Sequence, residues 1–525
     1  MTNSISDVGL SDCILVIGSN TTEQHPLVAT QVFDALEKGA TLFVVDPRKI
    51  RLAEFAHEYA EIEPGTNLAL INALIHIIIE EDLYDKEFVK NRVENFDAVR
   101  ESVKDCTAAW AETITQIPAE TIERIARGFA TAKRGSILYA MGITQHKTGT
   151  KNVGALANLS MITGHVGREG TGLNPLRGQN NVQGACDMGG LPDVFPGYHK
   201  AVNPETKEKF TKAWGEVSCL DGNKISEMFD RIEEGKMKAM YVMGENPILS
   251  DPDQTHVIHC FESLDFLVVQ DIFLTETAQY ADVVLPGASF IEKDGTFTNT
   301  ERRVQLIHKV LEPIGMSKPD WQILAEMMQL FGYEGHYDSV GDIMDEINEL
   351  VPQYGGITHA RIQEVGIQWP CPTKDHPGTP YLHKDKFARG KGLMQVTPYE
   401  IPGEQVSEEY PLIMTTGRVH HHYHTGTMTR KVWTLDREFP KGFVEIHKKD
   451  AEALGIWDHQ EVTITSRRGS ITAKALVTES IKEGVVFVPF HFVESPVNKL
   501  TSQVVDPVTK IPEYKVTAVR IEVTK

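Results

Sequence analysis

The sequence predicts an α/β chain with an added β domain: two Rossmann-like parallel-sheet units related as a pseudo-repeat, followed by a C-terminal β-barrel domain. Three observations lead there. Short, continuous apolar runs ending in glycine occur at 13–18 (CILVIG) and 240–244 (MYVMG), the pattern of strands buried on both faces of a parallel sheet. Each run ends in Gly-x-Asn, and an acid follows the next strand: 28 residues separate Gly18 from Asp46, and 27 separate Gly244 from Asp271. From about residue 404 the chain alternates short β patterns with turns, as a barrel does.

The elements follow in order. After the first strand, residues 26–38 (PLVATQVFDALEK) have helical periodicity, with Pro26 suited to the first turn. Residues 41–45 (TLFVV) form a second buried strand, closed by Asp46-Pro47-Arg48; a right-handed crossover joins such a pair. Gly65-Thr66-Asn67 precede an apolar helix from Leu68, Pro118 opens another helix, and 136–141 (SILYAM) is a third strand ended by Gly142. Residues 165–192 are rich in Gly and amides, with little periodicity, and read as ordered loop, where function concentrates. The opening pattern then returns, with strands at 240–244, 266–270 (FLVVQ) and 281–286 (ADVVLP). Helical pattern occupies 320–352, 404–409 (EQVSEE) reads as a linker, and PLIMTTGR, GFVEIH, EVTITSRRGSITAKALVT and GVVFVPF supply barrel strands. The expected domains are 1–175, 176–320 with the loop, a helical connection 321–403, and 404–525.

Composition excludes several classes. Of 525 residues, 41% are hydrophobic and 24% charged, an ordinary globular balance. A net charge of −21 argues against a nucleic-acid-binding surface while leaving room for local basic pockets. The six cysteines (13, 106, 186, 219, 260, 371) form no C-x-x-C pair, which argues against cysteine-ligated zinc or iron–sulfur within these residues and against a disulfide framework. No export signal is visible in residues 1–12, and the longest apolar run, 68–79, is too short for a membrane span. A reduced, cytoplasmic compartment is expected.

The paired Gly-x-Asn sites lie where open parallel sheets bind ligands, beyond the carboxyl ends of the strands. Glycine there lets backbone approach a phosphate, and an acid after the second strand can hold ribose hydroxyls or a guanine edge. Taken singly, strand-plus-glycine is ordinary α/β turn grammar; the matched repeat points to two equivalent nucleotide tails. No G-x-G-x-x-G or Walker A sequence is present. Residues 177–184 (RGQNNVQG) combine Arg177 with four side-chain amides, a donor set matched to a carboxylate; the plainer reading is a polar loop satisfying its own backbone. Residues 420–424 (HHHYH) would place His420, His422 and His424 on one face if strand pairing continued. They could bind a metal or donate to a heterocycle; no nearby carboxylate or Cys completes a metal site. Gln145-His146 and Tyr514-Lys515 are weak signals alone.

The run 177–189 (RGQNNVQGACDMG), with Gly142-Ile143-Thr144-Gln145 before it, resembles the molybdopterin-dependent formate dehydrogenases, catalytic (alpha) subunit. The resemblance spans essentially the whole chain and is supported by Asp46-Pro47-Arg48, 243–247 (MGENP), 270–273 (QDIF), 281–286 (ADVVLP), Pro319-Asp320-Trp321 and 512–515 (PEYK). It implies oxidation of formate to CO2, or the reverse, at molybdenum or tungsten held by bis-molybdopterin guanine dinucleotide. It also implies roles. Gly18, Asn20, Asp46, Arg48, Gly65 and Asn67 would hold one dinucleotide, with Met141, Gly142 and Gln145 near its pterin. Gly244, Asn246, Ser250, Gln270, Asp271 and Asp320 would hold the other. Arg418, His422, His424, Asn498, Tyr514 and Lys515 would close over the pterins, and Arg177, with Gln179 beside it, would bind formate. Glu23 and Asn246 stand where the family often has Asp.

The family's cysteine-rich 4Fe-4S domain, its Cys or selenocysteine metal ligand and a lysine between cluster and pterin are expected upstream of Met1. Two explanations compete: a short subunit completed by another polypeptide, and, favoured here, a reading frame restarted after a selenocysteine UGA codon. An electron-transfer subunit or that iron–sulfur portion is the expected partner. Alternatives are another molybdopterin oxidoreductase, nitrate reductase-like, and a catalytically inert cofactor-holding chain.

Overall fold

A computed structural model describes residues 1–524. The chain divides into two compact units: Met1–Gly178, Leu249–His256 and the segment from Tyr381 onward form the first, and Gln179–Ile248 with Val257–Pro380 the second.

The first unit opens with β1 (Cys13–Ile17), α1 (Pro26–Glu37), β2 (Thr41–Val45), β3 (Glu58–Ala60), α2 (Asn67–Glu80), α3 (Ala119–Thr131), β4 (Gly135–Tyr139), α4 (Gly149–Ile162) and β5 (Gly172–Pro175). The strands form one parallel sheet in the order β3-β2-β1-β4-β5. Every residue of β1 is buried because successive side chains feed two different cores. Cys13, Leu15 and Ile17 pack with Leu70, Leu74, Ile125 and Leu159 from α2, α3 and α4. Ile14 and Val16 pack with Val28 and Val32 of α1. Each fully buried Leu or Ile contributes about 1.5–3 kcal/mol. The strand order reverses between β1 and β4, which opens a crevice at their carboxyl ends.

The stretch 165–192, expected to be irregular, contains β5 and a short helix, α5 (Val182–Asp187). β5 escapes a hydrophobic-pattern reading because amides stitch it in place. Asn174 Nδ2 donates to Ser136 Oγ at 2.9 Å, and its Oδ1 accepts from Asn3 N at 3.3 Å.

In the second unit, α6 (Ile225–Glu233) leads into β6 (Ala239–Met243), β7 (Phe266–Asp271) and β8 (Val283–Pro286). These strands form a parallel sheet in the order β8-β7-β6. Phe229 and Ile232 of α6 pack on Val242, Leu267 and Val269 with Val257, Cys260 and Phe261. An antiparallel sheet of β9 (Gly295–Thr298), β10 (Arg303–Ile307) and β11 (Ile367–Gln368) follows. The helical stretch at 320–352 resolves into α7 (Asp320–Leu330) and α8 (Val340–Leu350).

The first unit resumes as a closed six-stranded barrel of β12 (Leu412–Gly417), β13 (Phe443–His447), β14 (Glu461–Thr465), β15 (Ser470–Thr478), β16 (Val485–Pro489) and β17 (Thr517–Val523), in the order β12-β16-β13-β15-β14-β17. Alternation decides what points inward: Val462, Ile464, Ile471, Ala473 and Ala475 fill the barrel core. No helix among the described residues is long and apolar enough to cross a membrane.

Candidate functional site

The crevice between β1 and β4 is built on two glycines. Gly18 has φ +60°, and its N–H donates to Val45 O at 3.0 Å while Gly142 N–H donates to Gly18 O at 3.1 Å. A Cβ on Gly18 would stand 2.7 Å from Gly142 C, and one on Gly142 would stand 2.6 Å from Gly18 Cα. Only glycine fits either position.

Buried polar atoms without protein partners gather on the loops around this contact: Asn20 Nδ2, Gln24 Nε2, His25 Nδ1 and His146 Nδ1. His146 Nε2 lies 2.8 Å from Gly142 O and 3.2 Å from Asn67 Nδ2. The bond to Gly142 needs the proton on Nε2, so Nδ1 is a bare acceptor. Burial pulls the His146 pKa down to about 4. His25 Nε2 meets Arg177 O at 2.9 Å. Each buried, unsatisfied group costs about 1–3 kcal/mol, so four together describe a surface shaped to hold a ligand.

Charged groups line the same crevice. Lys515 Nζ donates to Thr416 O at 2.6 Å, and Arg418 Nη1 to Gly178 O at 2.6 Å. Burial, aided by the Arg418 and Arg48 charges, lowers Lys515 to about 7. Burial also lowers Arg418 and raises Asp46 to about 6 against the pull of the Arg48 N–H and charge. Lys515, Arg418 and Asp46 keep partial solvent access although protein atoms crowd around them, as side chains lining a cleft do. Arg48 is committed elsewhere: it holds Glu445 of β13 through two bonds of 2.9 and 2.7 Å and lies 3.7 Å over the Phe487 ring. It therefore braces the barrel on the α/β layer.

The remaining first-unit positions divide into backbone and clamps. Gly65 has φ +87°, and a Cβ there would meet Pro402 at 2.3 Å. Met141 opens the one-turn helix Met141–Thr144, and half-buried Gln145 caps it by donating its N–H to Met141 O at 3.0 Å. Asn498 Nδ2 donates to Leu249 O (2.8 Å) and Ser250 O (3.0 Å), and Tyr514 Oη donates to Ser250 O at 2.9 Å. Ser250 is thus held through its carbonyl. Arg177 is exposed, two residues beyond β5, close enough to Tyr139 at the end of β4 for its charge to act there. Gln179 is half-buried and opens the second unit.

The histidine run departs from the face-sharing expectation. β12 ends at Gly417, so pairing stops and the rings diverge. His420 Nδ1 meets Glu23 O at 3.0 Å, His422 Nε2 meets Phe439 O at 2.8 Å, and the His424 ring packs edge-on to Phe490. His491, which the sequence reading passed over, holds the loop: Val419 N–H donates to its Nε2 at 2.9 Å, and its Nδ1–H donates to His424 O. His25, Gln24 and Glu445 were also passed over; they lie outside any spaced motif.

The second unit repeats the glycine geometry. Gly244 has φ +62° and donates to Gln270 O at 2.8 Å, as Gly18 does to Val45. Gln270 Nε2 donates to Asp320 Oδ1 at 2.7 Å, Gln270 Oε1 accepts from Tyr241 Oη, and Lys293 pairs with Asp320. Asp271 accepts from Ile272 N at 2.6 Å, and burial raises its pKa. Asn246 is fully engaged, accepting from Thr277 N (3.2 Å) and Oγ1 (2.8 Å) and donating to Glu276 at 2.8 Å. The amide run is partly structural: Asn181 Oδ1 accepts from Thr298 N at 2.9 Å, and Asp187 of α5 accepts from Gln183 Nε2 and Tyr198 Oη (both 2.8 Å) and Tyr354 Oη (2.6 Å).

Bare backbone at the switch point, orphaned donors and acceptors, and two cations in a cleft fit an anionic ligand with a polar heterocycle, as a pterin dinucleotide is. The comparisons agree. The molybdopterin oxidoreductase family profile matches residues 1–330, and the molydopterin dinucleotide binding domain profile matches 412–518. The F420-dependent formate dehydrogenase subunit alpha of Methanocaldococcus jannaschii is 52% identical over 99% of this chain and 78% of its own length. Formate dehydrogenase H of Escherichia coli is 41% identical over 99% of this chain and 74% of its own length. Acetylene hydratase from Pelobacter acetylenicus shares the fold, with TM-score 0.78 at 20% identity, over 99% of this chain and 81% of that one. The fold and crevice define a dinucleotide-binding α/β protein with a barrel. The chain belongs to the molybdopterin oxidoreductase family, among its formate dehydrogenase alpha subunits.

Proposed function

We propose that this chain forms the catalytic centre of an enzyme that oxidises formate to CO2, releasing one proton and two electrons, at molybdenum or tungsten held by two molybdopterin guanine dinucleotides. The observation that carries the reading is the crevice at Gly18 and Gly142, with its four orphaned polar atoms beside Lys515 and Arg418. When bound, the metal–pterin group accepts the two electrons.

The residues act in three ways. Gly18, Gly142 and Gly65 let the loops of the first unit close on one another around the ligand, and Gly244 leaves its own turn open for close approach. Asn20, Asn67, Gln145 and Met141 line the first dinucleotide and its pterin; Asp46 and Asp271 receive ribose or guanine donors. Lys515 and Arg418 neutralise charge. Arg48, Asn246, Ser250, Gln270, Asp320, His422, His424, Asn498 and Tyr514 hold the loops that form these contacts. Arg177 orients the formate carboxylate, with Gln179 beside it, through a planar fork that Lys cannot reproduce. The barrier falls by positioning and fixed charge. In the same reading an iron–sulfur polypeptide would receive the electrons in a cytoplasmic assembly, and the chain would divide its binding roles at 175, 320 and 403.

Arg177→Lys tests the reading. Formate turnover (kcat/KM) falls about 10²-fold or more with metal and nucleotide content unchanged; wild-type turnover in this variant contradicts it.

A further inference from the structure

Arg177 carries an exposed side chain just past the end of β5 at Pro175, where strand pairing no longer fixes the backbone. Side chains from two other loops fix it instead. Before Arg177, Leu176 N–H donates to Tyr139 O at 2.8 Å. After it, two successive carbonyls are gripped. Arg177 O lies 2.9 Å from His25 Nε2, and Gly178 O accepts from Arg418 Nη1 at 2.6 Å. Arg418 sits so close that a Cβ on Gly178 would stand 2.5 Å from its Nη2.

His25 is itself held rigidly. It joins the one-turn helix Thr21–Gln24 to α1. Its N–H donates to Thr21 O at 3.0 Å, and its carbonyl accepts from Val28 N (2.9 Å) and Ala29 N (3.0 Å). Pro26 keeps His25 out of helical geometry, with φ −140° and ψ 57°. The barrel loop braces the same turn, since His420 Nδ1 meets Glu23 O at 3.0 Å. A carbonyl only accepts, so His25 Nε2 carries the proton and Nδ1 is bare. Burial, with the Arg418 charge, lowers its pKa. A neutral ring pins the carbonyl without offering an anion a second cation.

Taking Arg177 as the formate arginine of the proposed function, we infer that His25 is a positioning residue for it. The Nε2–H bond to Arg177 O, with Arg418 on the next carbonyl, sets the backbone from which the guanidinium fork reaches the carboxylate. Such a support matters because a working site must be held to within about 0.5 Å, and a misplacement of about 1 Å costs about 10²-fold in rate.

The experiment measures formate-dependent dye reduction by the whole enzyme made in its own cells, expressed per metal-loaded centre. The variants are His25→Leu, His25→Gln, Arg177→Lys and the double His25→Leu with Arg177→Lys. His25→Leu is expected to lower kcat/KM about 10–100-fold. His25→Gln, whose amide can donate to the same carbonyl, recovers most of that loss. With Arg177→Lys already present, His25→Leu costs nothing further, because His25 acts through Arg177; a merely structural role would cost the same factor in both backgrounds. Wild-type turnover in His25→Leu, equal factors in the two backgrounds, or no recovery in His25→Gln would overturn the positioning role while leaving the formate assignment standing. Wild-type turnover in Arg177→Lys would overturn both.

Discussion

Gly18 and Gly142 meet backbone to backbone at the point where the first sheet reverses its strand order, joined by a 3.1 Å hydrogen bond from Gly142 N–H to Gly18 O. Neither loop can retreat, because each follows directly from a buried strand. Gly142→Ala is therefore expected to destabilise the first unit by about 1–3 kcal/mol and to lower bound nucleotide. Chemical denaturation and nucleotide analysis of the purified variant check this; unchanged stability and full nucleotide content would refute it.

Arg48 and Glu445 form a half-buried bidentate pair, with side chains 18% and 12% exposed. Removing one partner strands the other, so Glu445→Ala is expected to cost about 3–5 kcal/mol. Replacing both, as Arg48→Met with Glu445→Leu, recovers most of that. A double-mutant cycle on unfolding free energy measures the coupling, and additive single effects would rule it out.

Lys515 gives a pH signature. Its folded pKa, about 7, lies below its ordinary value of 10.5, so between those values the unfolded chain binds more protons and cofactor-free protein gains stability as pH rises. Below pH about 7 the burial penalty is fully present. Lys515→Met is expected to flatten the stability slope between pH 7 and 10. Binding of an anionic dinucleotide restores the charge, so at pH 8 the wild type takes up a proton that the variant does not. Calorimetry in buffers of different ionisation enthalpy reads this directly.

His491 is held neutral: burial, with the neighbouring Arg418, His422 and His424 charges, lowers its pKa to about 3. Its ring is expected to remain the Nδ1–H tautomer at pH 5 by nitrogen NMR. His491→Ala leaves Val419 N–H unsatisfied, a loss of about 1–3 kcal/mol, and loosens residues 418–424. An imidazolium signal at pH 5 would contradict the assignment.

Much of this was legible in the residues. CILVI and TLFVV have no polar interruption, so their burial on both faces could be read directly, and Gly18 and Gly244 marked both sheet ends. The barrel was legible because Val462, Ile464, Ile471 and Ala473 alternate with polar neighbours. β5 was hidden because its pairing relies on the Asn174 amide. The 420–424 run misled because nothing local to those residues marks the end of β12 at Gly417. His491 and Glu445 act across long sequence separations, 67 residues to His424 and 397 to Arg48, which no local pattern encodes.

The central claim is tested most directly on enzyme purified from its own cells, by counting guanine nucleotides released per chain while measuring formate-dependent dye reduction. The expected result is two nucleotides per chain, with molybdenum or tungsten present, and dye reduction that depends on formate. One nucleotide or none, or metal-loaded protein inert to formate, would contradict the account.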